Sequence, residues 1–445
     1  MPNKPLNISR RNFVKTAGAL GSGILIAPHL LSCSANNRLN IAIIGAGGRG
    51  IQNWKPFVEE NIVAICDVDD RMIGPAVEAF PEARRFKDYR VMFDKMQRQI
   101  DAVIVSTPDH THFAATIAAI DLGMHVYVEK PLAHNVWQVR ELKERAAKKK
   151  IISQMGNQGH ATDGIRRVKE WYEAGVLGEV REVHAWFNGP SWGGNWFRKP
   201  ANFPPPEIAI PSELDWDLWL GPAKMRQYTN FYLPRVWRGW YDFSSGMLGD
   251  WGCHTLDAPF WSLDLGAPNL IVSEYKSETP DGFLEDASIV RYEFPARGNK
   301  PPVTLKWYQG GHKPEPNPEW GIESLPDSGM IMVGDKVSLK TGARPEYERL
   351  LLPEEEWLHF QENQPTPTIS RIGSGPQLEW INAIKGDGPA PGSNFDYASD
   401  LTEMVLLGAL AQKTNSRIEY DAKNMKVSNH PEFDRFIKEP TRAGW

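Results

Sequence analysis

The sequence is poor in cysteine, in long apolar runs and in charge of one sign. Its 3 cysteines in 445 residues are too few for a disulfide framework. Beyond its first residues, no apolar run is long enough for a membrane-spanning helix. The formal net charge of -5 at pH 7 gives no reason to expect a nucleic-acid partner. No internal repeat is present. The length therefore fits two ordinary globular domains.

The first 33 residues have the order of an export signal. Residues 9–15 read Ser-Arg-Arg-Asn-Phe-Val-Lys and precede a weakly apolar stretch, as in a twin-arginine signal. Residues 30–33 read Leu-Leu-Ser-Cys and resemble a lipobox, with Cys33 as the lipidated residue. The alternatives are a short amphipathic helix with two surface arginines and a cysteine placed there by chance. We predict export to the periplasm, and contact with a membrane only through a lipid on Cys33.

A dinucleotide-binding motif follows the signal. Residues 39–45 form a short apolar run, which predicts a buried strand. Residues 45–50 read Gly-Ala-Gly-Gly-Arg-Gly and satisfy the spacing G-x-G-x-x-G. Gly45 permits a tight turn, Gly47 lets the backbone approach a pyrophosphate, and Gly50 lets the next helix pack closely. The phosphates would then lie at a helix N-terminus.

The second apolar strand, Ile62–Cys66, ends in Asp67, which lies 22 residues beyond Gly45. A carboxylate at this place accepts hydrogen bonds from the adenosine ribose hydroxyls. Its charge repels a 2′-phosphate, so the sequence favours NAD over NADP. Asp69 and Asp70 are expected to cap the next helix.

Two later strands also end in polar motifs. Strand Asp101–Ser106 precedes Thr107-Pro108, and strand His125–Val128 precedes Glu129-Lys130-Pro131. Strands that alternate with helices predict an α/β fold with a doubly wound parallel sheet, which binds ligands at the carboxyl ends of its strands. The predicted cofactor-binding residues are Gly45, Gly47, Gly48, Arg49, Gly50, Asp67, Thr107, Pro108, His112, Glu129 and Lys130.

With Glu-Lys-Pro at the end of a strand, the chain resembles the Gfo/Idh/MocA family of oxidoreductases over residues 39–160. Residues 246–257 read Gly-Met-Leu-Gly-Asp-Trp-Gly-Cys-His-Thr-Leu-Asp and resemble the second signature of that family. The resemblance implies that Lys130, Asp250 and His254 surround the reacting carbon beside the nicotinamide. It also implies that His112 lines the site, although packing of its helix explains that residue almost as well.

The residue types suit hydride transfer from an alcohol, which requires removal of the hydroxyl proton. His254 is the natural base at neutral pH. Lys130 can hydrogen-bond the same oxygen or relay the proton, and Asp250 would orient or support that pair. A solvated lysine and a surface Asp–His pair are the alternatives. Two metal ligands are another, but no third ligand has a motif, so no metal is predicted.

A second domain is predicted over residues 158–445, after a dinucleotide domain over residues 38–157 and a signal segment over residues 1–33. The resemblance implies that it is an α+β domain with an open, largely antiparallel sheet. Residues 189–240 are rich in Pro and Gly and predict a loop that carries site residues. The predicted helices are Asp163–Ala174, Gly375–Ile384, which would return to the first domain, and Asp400–Gln412. The predicted strands are Glu179–Asn188, Leu270–Glu278, Ala287–Phe294, Val303–Gln309 and Met330–Val333.

Nine of the 17 tryptophans lie between Trp186 and Trp261. Flat aromatic faces stack on the apolar face of a pyranose, while polar groups at the rim bind its hydroxyls. A tryptophan-rich core or an oligomer interface explains the cluster equally well. Residues 155–160, Met-Gly-Asn-Gln-Gly-His, depart from the cytoplasmic family members and resemble an exported subgroup. The predicted substrate-binding residues are Asn157, Gln158, His160, Arg235, Trp237, Arg238 and Tyr241.

Three functions remain open at this stage. The first is an NAD(H)-dependent oxidoreductase that acts on a hydroxyl of a sugar or glycoside and keeps its cofactor bound through redox-neutral turnover. The second is a glycoside hydrolase that uses NAD for a transient oxidation followed by elimination. The third, ranked below both, is a sugar-binding lipoprotein without catalysis. An exposed face on an open sheet also favours a homo-oligomer.

Overall fold

Short apolar strands form a six-stranded sheet at the start of the described chain. The structure, a computed structural model, describes residues 38–190 and 199–445, so the predicted signal segment and Cys33 lie outside it. The strands are β1 (Asn40–Ile44), β2 (Asn61–Cys66), β3 (Arg84–Phe86), β4 (Ala102–Val105), β5 (His125–Glu129) and β6 (Ser153–Gly156). Their order is β3-β2-β1-β4-β5-β6, and every pair is parallel. This is the strand order of a dinucleotide-binding fold, as the sequence predicted.

Helices connect these strands. They are α1 (Arg49–Trp54), α2 (Gly74–Ala79), α3 (Tyr89–Met96), α4 (Asp109–Asp121) and α5 (Val136–Lys149). All four residues of β4 are buried, because both faces of a parallel sheet are covered. The predicted capping of the next helix by Asp69 and Asp70 is wrong. Helix α2 follows Ile73 and has no side-chain cap, while the Asp69 carboxylate accepts hydrogen bonds from the Arg71 guanidinium at 2.6 and 2.7 Å.

A second sheet fills the later part of the chain. Its strands are β7 (Val180–Phe187), β8 (Leu270–Lys276), β9 (Ser288–Phe294), β10 (Val303–Gln309), β11 (Ser328–Gly334), β12 (Leu339–Thr341), β13 (Arg349–Leu350), β14 (Arg417–Asp421) and β15 (Lys426–Val427). Their order is β13-β12-β11-β7-β10-β9-β8-β14-β15. Strands β7 and β10 run parallel, and the other paired strands run antiparallel. The predicted largely antiparallel sheet is therefore confirmed.

One long helix contacts strands of both sheets. The remaining helices are α6 (Asp163–Glu173), α7 (Trp216–Leu220), α8 (Cys253–Thr255), α9 (Asp257–Leu263), α10 (Glu354–Glu362), α11 (Gly375–Lys385), α12 (Phe395–Thr414) and α13 (Asp434–Ile437). Helix α12 packs on α5 and on β8 and is buried on nearly all sides. It begins five residues before the predicted Asp400, because the Asn394 side chain caps it by accepting from the backbone N–H groups of Asp396 and Tyr397.

Helix α11 returns to the first sheet, as predicted. Trp380 is fully buried there, with its ring centroid 5.8 Å from that of Phe57 and 5.9 Å from that of Tyr127. Its indole N–H donates to the carbonyl of Ile152 at 3.1 Å. The core of the first sheet therefore contains a helix from near the other end of the chain.

The predicted loop over residues 189–240 contains an aromatic cluster as well as helix α7. Trp216 and Trp219 stack with ring centroids 4.9 Å apart, and Trp240 packs against Tyr232 at 5.0 Å. These rings are buried against Phe243 in a core of their own. For these tryptophans the structure therefore favours the core alternative over a sugar platform.

The described residues offer neither a bilayer-spanning helix nor a cluster of metal ligands. No helix within residues 38–190 and 199–445 combines the length and hydropathy that crossing a membrane requires. No group of three or more His, Cys, Asp or Glu side chains is placed there to hold a metal ion. The thiols of Cys66 and Cys253 are free and buried.

Candidate functional site

A cavity of about 850 Å³ opens at the carboxyl ends of the strands of the first sheet. It extends from the loop after β1, past the ends of β4 and β5, to helix α8, which carries His254. The strand order reverses between β1 and β4, and ligands of doubly wound sheets bind at such a point. Residues 218–219 and 233–238 of the second half also line the cavity.

The glycine loop forms one end of this cavity. Gly45 has a φ of 83°, which favours glycine. A Cβ on Gly50 would lie 2.1 Å from the carbonyl oxygen of Gly45, so only glycine lets α1 pack this closely. Gly47, Gly48 and Arg49 all line the cavity. The loop therefore presents bare backbone to the space where a pyrophosphate would lie.

Asp67 stands beside this loop. Its carboxylate accepts the backbone N–H of Ala46 at 2.9 Å and that of Asp69 at 3.1 Å. Burial raises the pKa of the Asp67 carboxyl to about 6. The carboxylate lines the cavity and keeps lone pairs for further donors, such as the two hydroxyls of a ribose.

The middle of the cavity is set by the ends of β4 and β5. Thr107, Pro108 and Glu129 line it. The Glu129 carboxylate accepts from Arg49 Nε and from Asn53 Nδ2, each at 2.9 Å. These two hydrogen bonds fix the end of β5 against helix α1.

His112, a predicted cofactor-binding residue, does not reach the cavity lining. It is buried, with Nδ1 2.8 Å from the carbonyl oxygen of Pro131 and Nε2 2.8 Å from that of Thr107. The imidazole therefore holds together the two loops that follow β4 and β5. Its role is positional, in agreement with the packing alternative.

Aromatic residues line the end of the cavity beyond Asp67. Tyr89 and Trp445 both line it, with ring centroids 6.5 Å apart. The Arg90 guanidinium stacks on Trp445 at 4.0 Å from the ring centroid. These flat groups suit an adenine ring. No local sequence pattern indicates them, because Trp445 reaches this place only through the tertiary fold.

A lysine–aspartate pair occupies the opposite end. Lys130 Nζ donates to Asp250 Oδ1 at 2.6 Å and to the Asp250 carbonyl oxygen at 2.5 Å. Asp250 lies on a π-helical turn, Leu248–Gly252, and such turns are frequent at functional sites. Burial disfavours the charged carboxylate, but Lys130 and Arg238 outweigh it and hold the pKa of Asp250 well below its usual range.

His254 follows the π-helical turn and faces the same end of the cavity. Its Nδ1–H donates to Asn157 Oδ1 at 2.6 Å. The Asn157 amide nitrogen donates to the carbonyl of Cys253 at 2.8 Å and to Asp257 Oδ2 at 3.0 Å, which fixes the amide orientation. Burial, then the charges of Lys130 and Arg344, lower the pKa of His254 well below its usual range. His254 is therefore a neutral imidazole with a lone pair on Nε2.

The hydrogen-bond network behind His254 contains two residues that were predicted to bind substrate. Asn157 is fully buried, and His160 is 2% exposed. Asp257, also fully buried, accepts from Asn157, from His160 Nδ1 at 3.0 Å and from the Tyr397 hydroxyl at 2.5 Å. Neither Asn157 nor His160 lines the described cavity, so the assignment of both to substrate is corrected to support of His254. Asp257 stands in the quoted signature, but its role was missed.

Of the other residues predicted to bind substrate, four line the cavity and one does not. Gln158, Arg235, Trp237 and Arg238 line the cavity. Tyr241 does not belong to the described lining, because its side chain is buried and donates to Glu285 at 2.6 Å. Its assignment to substrate is corrected accordingly.

Trp219, Trp251 and Arg344 also line the cavity and were not predicted from the sequence. Trp251 lies inside the quoted signature, so its position there was a usable signal. Trp219 and Arg344 carry no local motif.

The arrangement can bind a dinucleotide and remove a proton beside it. The bare glycine loop, Asp67 and the aromatic end provide the shape and the donor–acceptor set that a nicotinamide dinucleotide requires. At the other end, the lone pair of His254 and the ammonium of Lys130 face the same space. A base and a hydrogen-bond donor at one point are what alcohol oxidation needs.

Known families match both parts of the chain. One family model, described as the oxidoreductase family, NAD-binding Rossmann fold, matches residues 39–157. A second, described as the oxidoreductase family, C-terminal alpha/beta domain, matches residues 162–276. Together they cover more than half of the chain.

Two relatives from Shewanella are similar to part of the chain. Glycosyl hydrolase family 109 protein 1 of Shewanella sp. (strain ANA-3) is 29% identical over 209 residues, which cover 39% of this chain and 44% of that protein. The α-N-acetylgalactosaminidase of Shewanella oneidensis is 29% identical over 188 residues, which cover 34% of this chain and 40% of that protein. The chain thus matches less than half the length of each relative.

Solved structures share the fold over most of the chain. The WlbA dehydrogenase of Chromobacterium violaceum, solved with NADH and UDP-GlcNAcA, has a TM-score of 0.61 at 17% identity and covers 90% of this chain and 99% of its own. The aldose–aldose oxidoreductase of Caulobacter crescentus, solved with glycerol, has a TM-score of 0.56 at 18% identity and covers 86% of this chain and 99% of its own. Because the two family models match residues 39–157 and 162–276, the chain belongs to the Gfo/Idh/MocA family of NAD-binding oxidoreductases.

Proposed function

We propose that this protein oxidises a ring hydroxyl of a sugar or glycoside with NAD that stays bound through the catalytic cycle. The observation that carries the proposal is the neutral His254, which faces the Lys130–Asp250 pair at the end of a cavity built for a dinucleotide. When bound, the nicotinamide supplies the hydride acceptor. The substrate class is supported by relatives and neighbours named for sugars.

The residues divide the proton chemistry between them. His254 Nε2 accepts the hydroxyl proton, while its Nδ1–H stays bonded to Asn157. Lys130 donates a hydrogen bond to the same substrate oxygen as negative charge develops on it. Asp250 holds the ammonium in place through the 2.6 Å contact. Trp237 and Trp251 line the same end of the cavity and offer flat faces to a sugar ring.

A second candidate is a glycoside hydrolase that oxidises its substrate transiently. Two Shewanella proteins named as glycoside hydrolases are 29% identical to part of the chain, and they favour this candidate. Oxidation of a ring hydroxyl to a ketone acidifies the adjacent C–H, so the aglycone can leave by elimination. Water then adds to the double bond, and the ketone is reduced by the hydride taken in the first step. His254 is placed to accept the proton in either candidate.

The cellular location belongs to the same proposal. Residues 9–15 and the Leu-Leu-Ser-Cys run that ends in Cys33 support twin-arginine export to the periplasm, with a lipid on Cys33. We also propose a homo-oligomer that covers the exposed face of the second sheet. Because free NAD is not expected to be plentiful outside the cytoplasmic membrane, a protein exported after folding would keep its cofactor. Each reduction of bound NAD must then be reversed in the same site, by hydride transfer to the carbonyl of a second sugar or back to the ketone formed in the first step.

Extraction of the purified protein tests this proposal. Protein prepared without added NAD should release about one dinucleotide per chain on denaturation, and should turn over glycosides repeatedly without supplementation. Release of an aglycone during that turnover selects the hydrolase. Oxidation of one sugar with reduction of another carbonyl, without release of an aglycone, selects the oxidoreductase. Empty protein that works only with stoichiometric soluble NAD would contradict the retained cofactor.

A further inference from the structure

The end of the cavity that holds Lys130, Asp250 and His254, here called the substrate end, also contains a cation without an ion-pair partner among the described residues. Arg344 lines the cavity, and its buried Nε has no hydrogen-bond partner in the part of the chain that the structure describes. Its guanidinium stacks over Trp251 at 5.7 Å from the ring centroid. The guanidinium is close enough to His254 to lower the pKa of that imidazole. A buried N–H without an acceptor is costly, so Arg344 Nε in this cavity calls for an acceptor on a ligand.

The carboxylates nearby are already used. Glu129 is paired with Arg49 at 2.9 Å, and Asp250 with Lys130 at 2.6 Å. Arg238 lies 3.7 Å from the same Asp250 oxygen. Neither of these two carboxylates is therefore left over for Arg344.

The loop that carries Arg344 is fixed in place. The carbonyl of Ala343 accepts from the Thr255 hydroxyl at 2.8 Å, one residue beyond His254. The carbonyl of Pro345 accepts from the Thr162 hydroxyl at 3.1 Å. Arg344 is thus anchored next to the element that carries the base, on a loop separate from the glycine loop. A phosphate of the dinucleotide would lie at the glycine loop instead.

We infer that the substrate carries a carboxylate, as a uronic acid or its glycoside does, and that Arg344 binds that carboxylate. The inference rests on the proposed function, because it names the substrate class of that site. A guanidinium fork matches a carboxylate with two parallel hydrogen bonds. The same fork gains much less from the neutral hydroxymethyl group of an ordinary hexose.

The test uses matched pairs of sugars that differ in one group. Methyl glucosides and galactosides of both anomers are compared with the corresponding methyl uronides, using the NAD-loaded protein. Wild type should favour the uronide of at least one pair, measured as the ratio of the second-order rate constants for reduction of the bound NAD. Arg344→Gln should lower that ratio about 10²-fold, the size expected for a charge-assisted bidentate contact. Arg344→Lys should fall in between, because it keeps the charge and loses the fork.

Arg297→Gln is the matched control. Arg297 Nη2 is likewise buried without a partner among the described residues, but Arg297 lies outside the described cavity lining. The control should leave the ratio unchanged. A wild type that prefers the neutral sugars, or a ratio that Arg344→Gln does not move, overturns the inference.

Calorimetry of the same pairs on the NAD-loaded protein separates this inference from the proposed function. Uronide binding that Arg344→Gln weakens, without oxidation of any sugar in the panel, would sustain the inference and refute the proposed function. Oxidation of neutral sugars with no uronide binding would sustain the proposed function and refute the inference.

Discussion

His254 and Lys130 share one substrate oxygen in the proposed chemistry, so either truncation should be severe. We expect His254→Ala and Lys130→Ala each to lower the rate of sugar oxidation by ~10²–10⁴. The affinity for NAD should change little, since the glycine loop and Asp67 lie at the other end of the cavity. Stopped-flow measurement of reduction of bound NAD gives the rate, and calorimetry gives the affinity.

His359→Ala, on the exposed side of α10, serves as the control for the loss of an imidazole. Near-normal turnover in His254→Ala or Lys130→Ala would show that the proton is handled elsewhere.

Asp67 predicts how NAD affinity depends on pH. Its pKa is raised to about 6, so the carboxylate is protonated in an increasing share of molecules below that pH. The ribose hydroxyls donate to the ionised form, so affinity should rise as pH increases through 6 and level off above it. We expect a loss of about tenfold between pH 7 and pH 5, the most that one group with this pKa can give. Calorimetric titration with NAD at each pH measures it.

Asp67→Asn should remove this pH dependence, and Asp67→Ala should let NADP bind nearly as well as NAD. A wild type that binds NADP more tightly would contradict the role given to Asp67.

Two short elements together position the base His254. The segment after β6 supplies Asn157, and the π-helical turn before α8 leads to His254. Their 2.6 Å hydrogen bond keeps the proton on Nδ1 and the lone pair on Nε2. Asn157 therefore acts through His254 as a positioning residue.

Substitution of Asn157 should change the pH profile as well as the rate. In Asn157→Asp, a carboxylate beside Nδ1 stabilises the imidazolium, which raises the pKa of His254. Because the base must be unprotonated, the acid limb of kcat should move to higher pH. Asn157→Leu should lower kcat about 10- to 100-fold with little change in KM. Asn363→Asp, on an exposed amide, is the control, and an unmoved acid limb would leave Asn157 a purely structural residue.

Elements that depend on local pattern could be predicted from the sequence, and elements that depend on distant contacts could not. Strand β10 begins and ends at the predicted Val303 and Gln309, because the alternation of apolar and polar side chains is a pattern of neighbouring residues. The glycine loop and the two signatures likewise led to Lys130, Asp250 and His254. Asn157 was assigned to substrate. Its contact with Asp257 could not be predicted, because the two residues are 100 positions apart. Arg344 carries no local motif, because its loop is held in place by Thr162 and Thr255, which are distant in sequence.

The molecule as a whole depends on the return of α11 to the first sheet. Trp380 is fully buried among rings of that sheet. Trp380→Ala should lower the free energy of unfolding by ~3–5 kcal/mol, because it leaves a large cavity. Leu378→Ala, on the exposed face of the same helix, should cost less than ~0.5 kcal/mol. Urea denaturation followed by circular dichroism compares the two, and equal losses would contradict the placement of α11.

The indole of Trp380 and the carbonyl of Ile152 are separated by 228 positions along the chain. The nucleotide-binding half is therefore not a transplantable module, even though its strands are contiguous in sequence. A chimera that takes residues 38–157 from a relative would inherit a core shaped for a different helix. Recombination between relatives must exchange residues 375–385 along with that half, so the two stretches are expected to be inherited together.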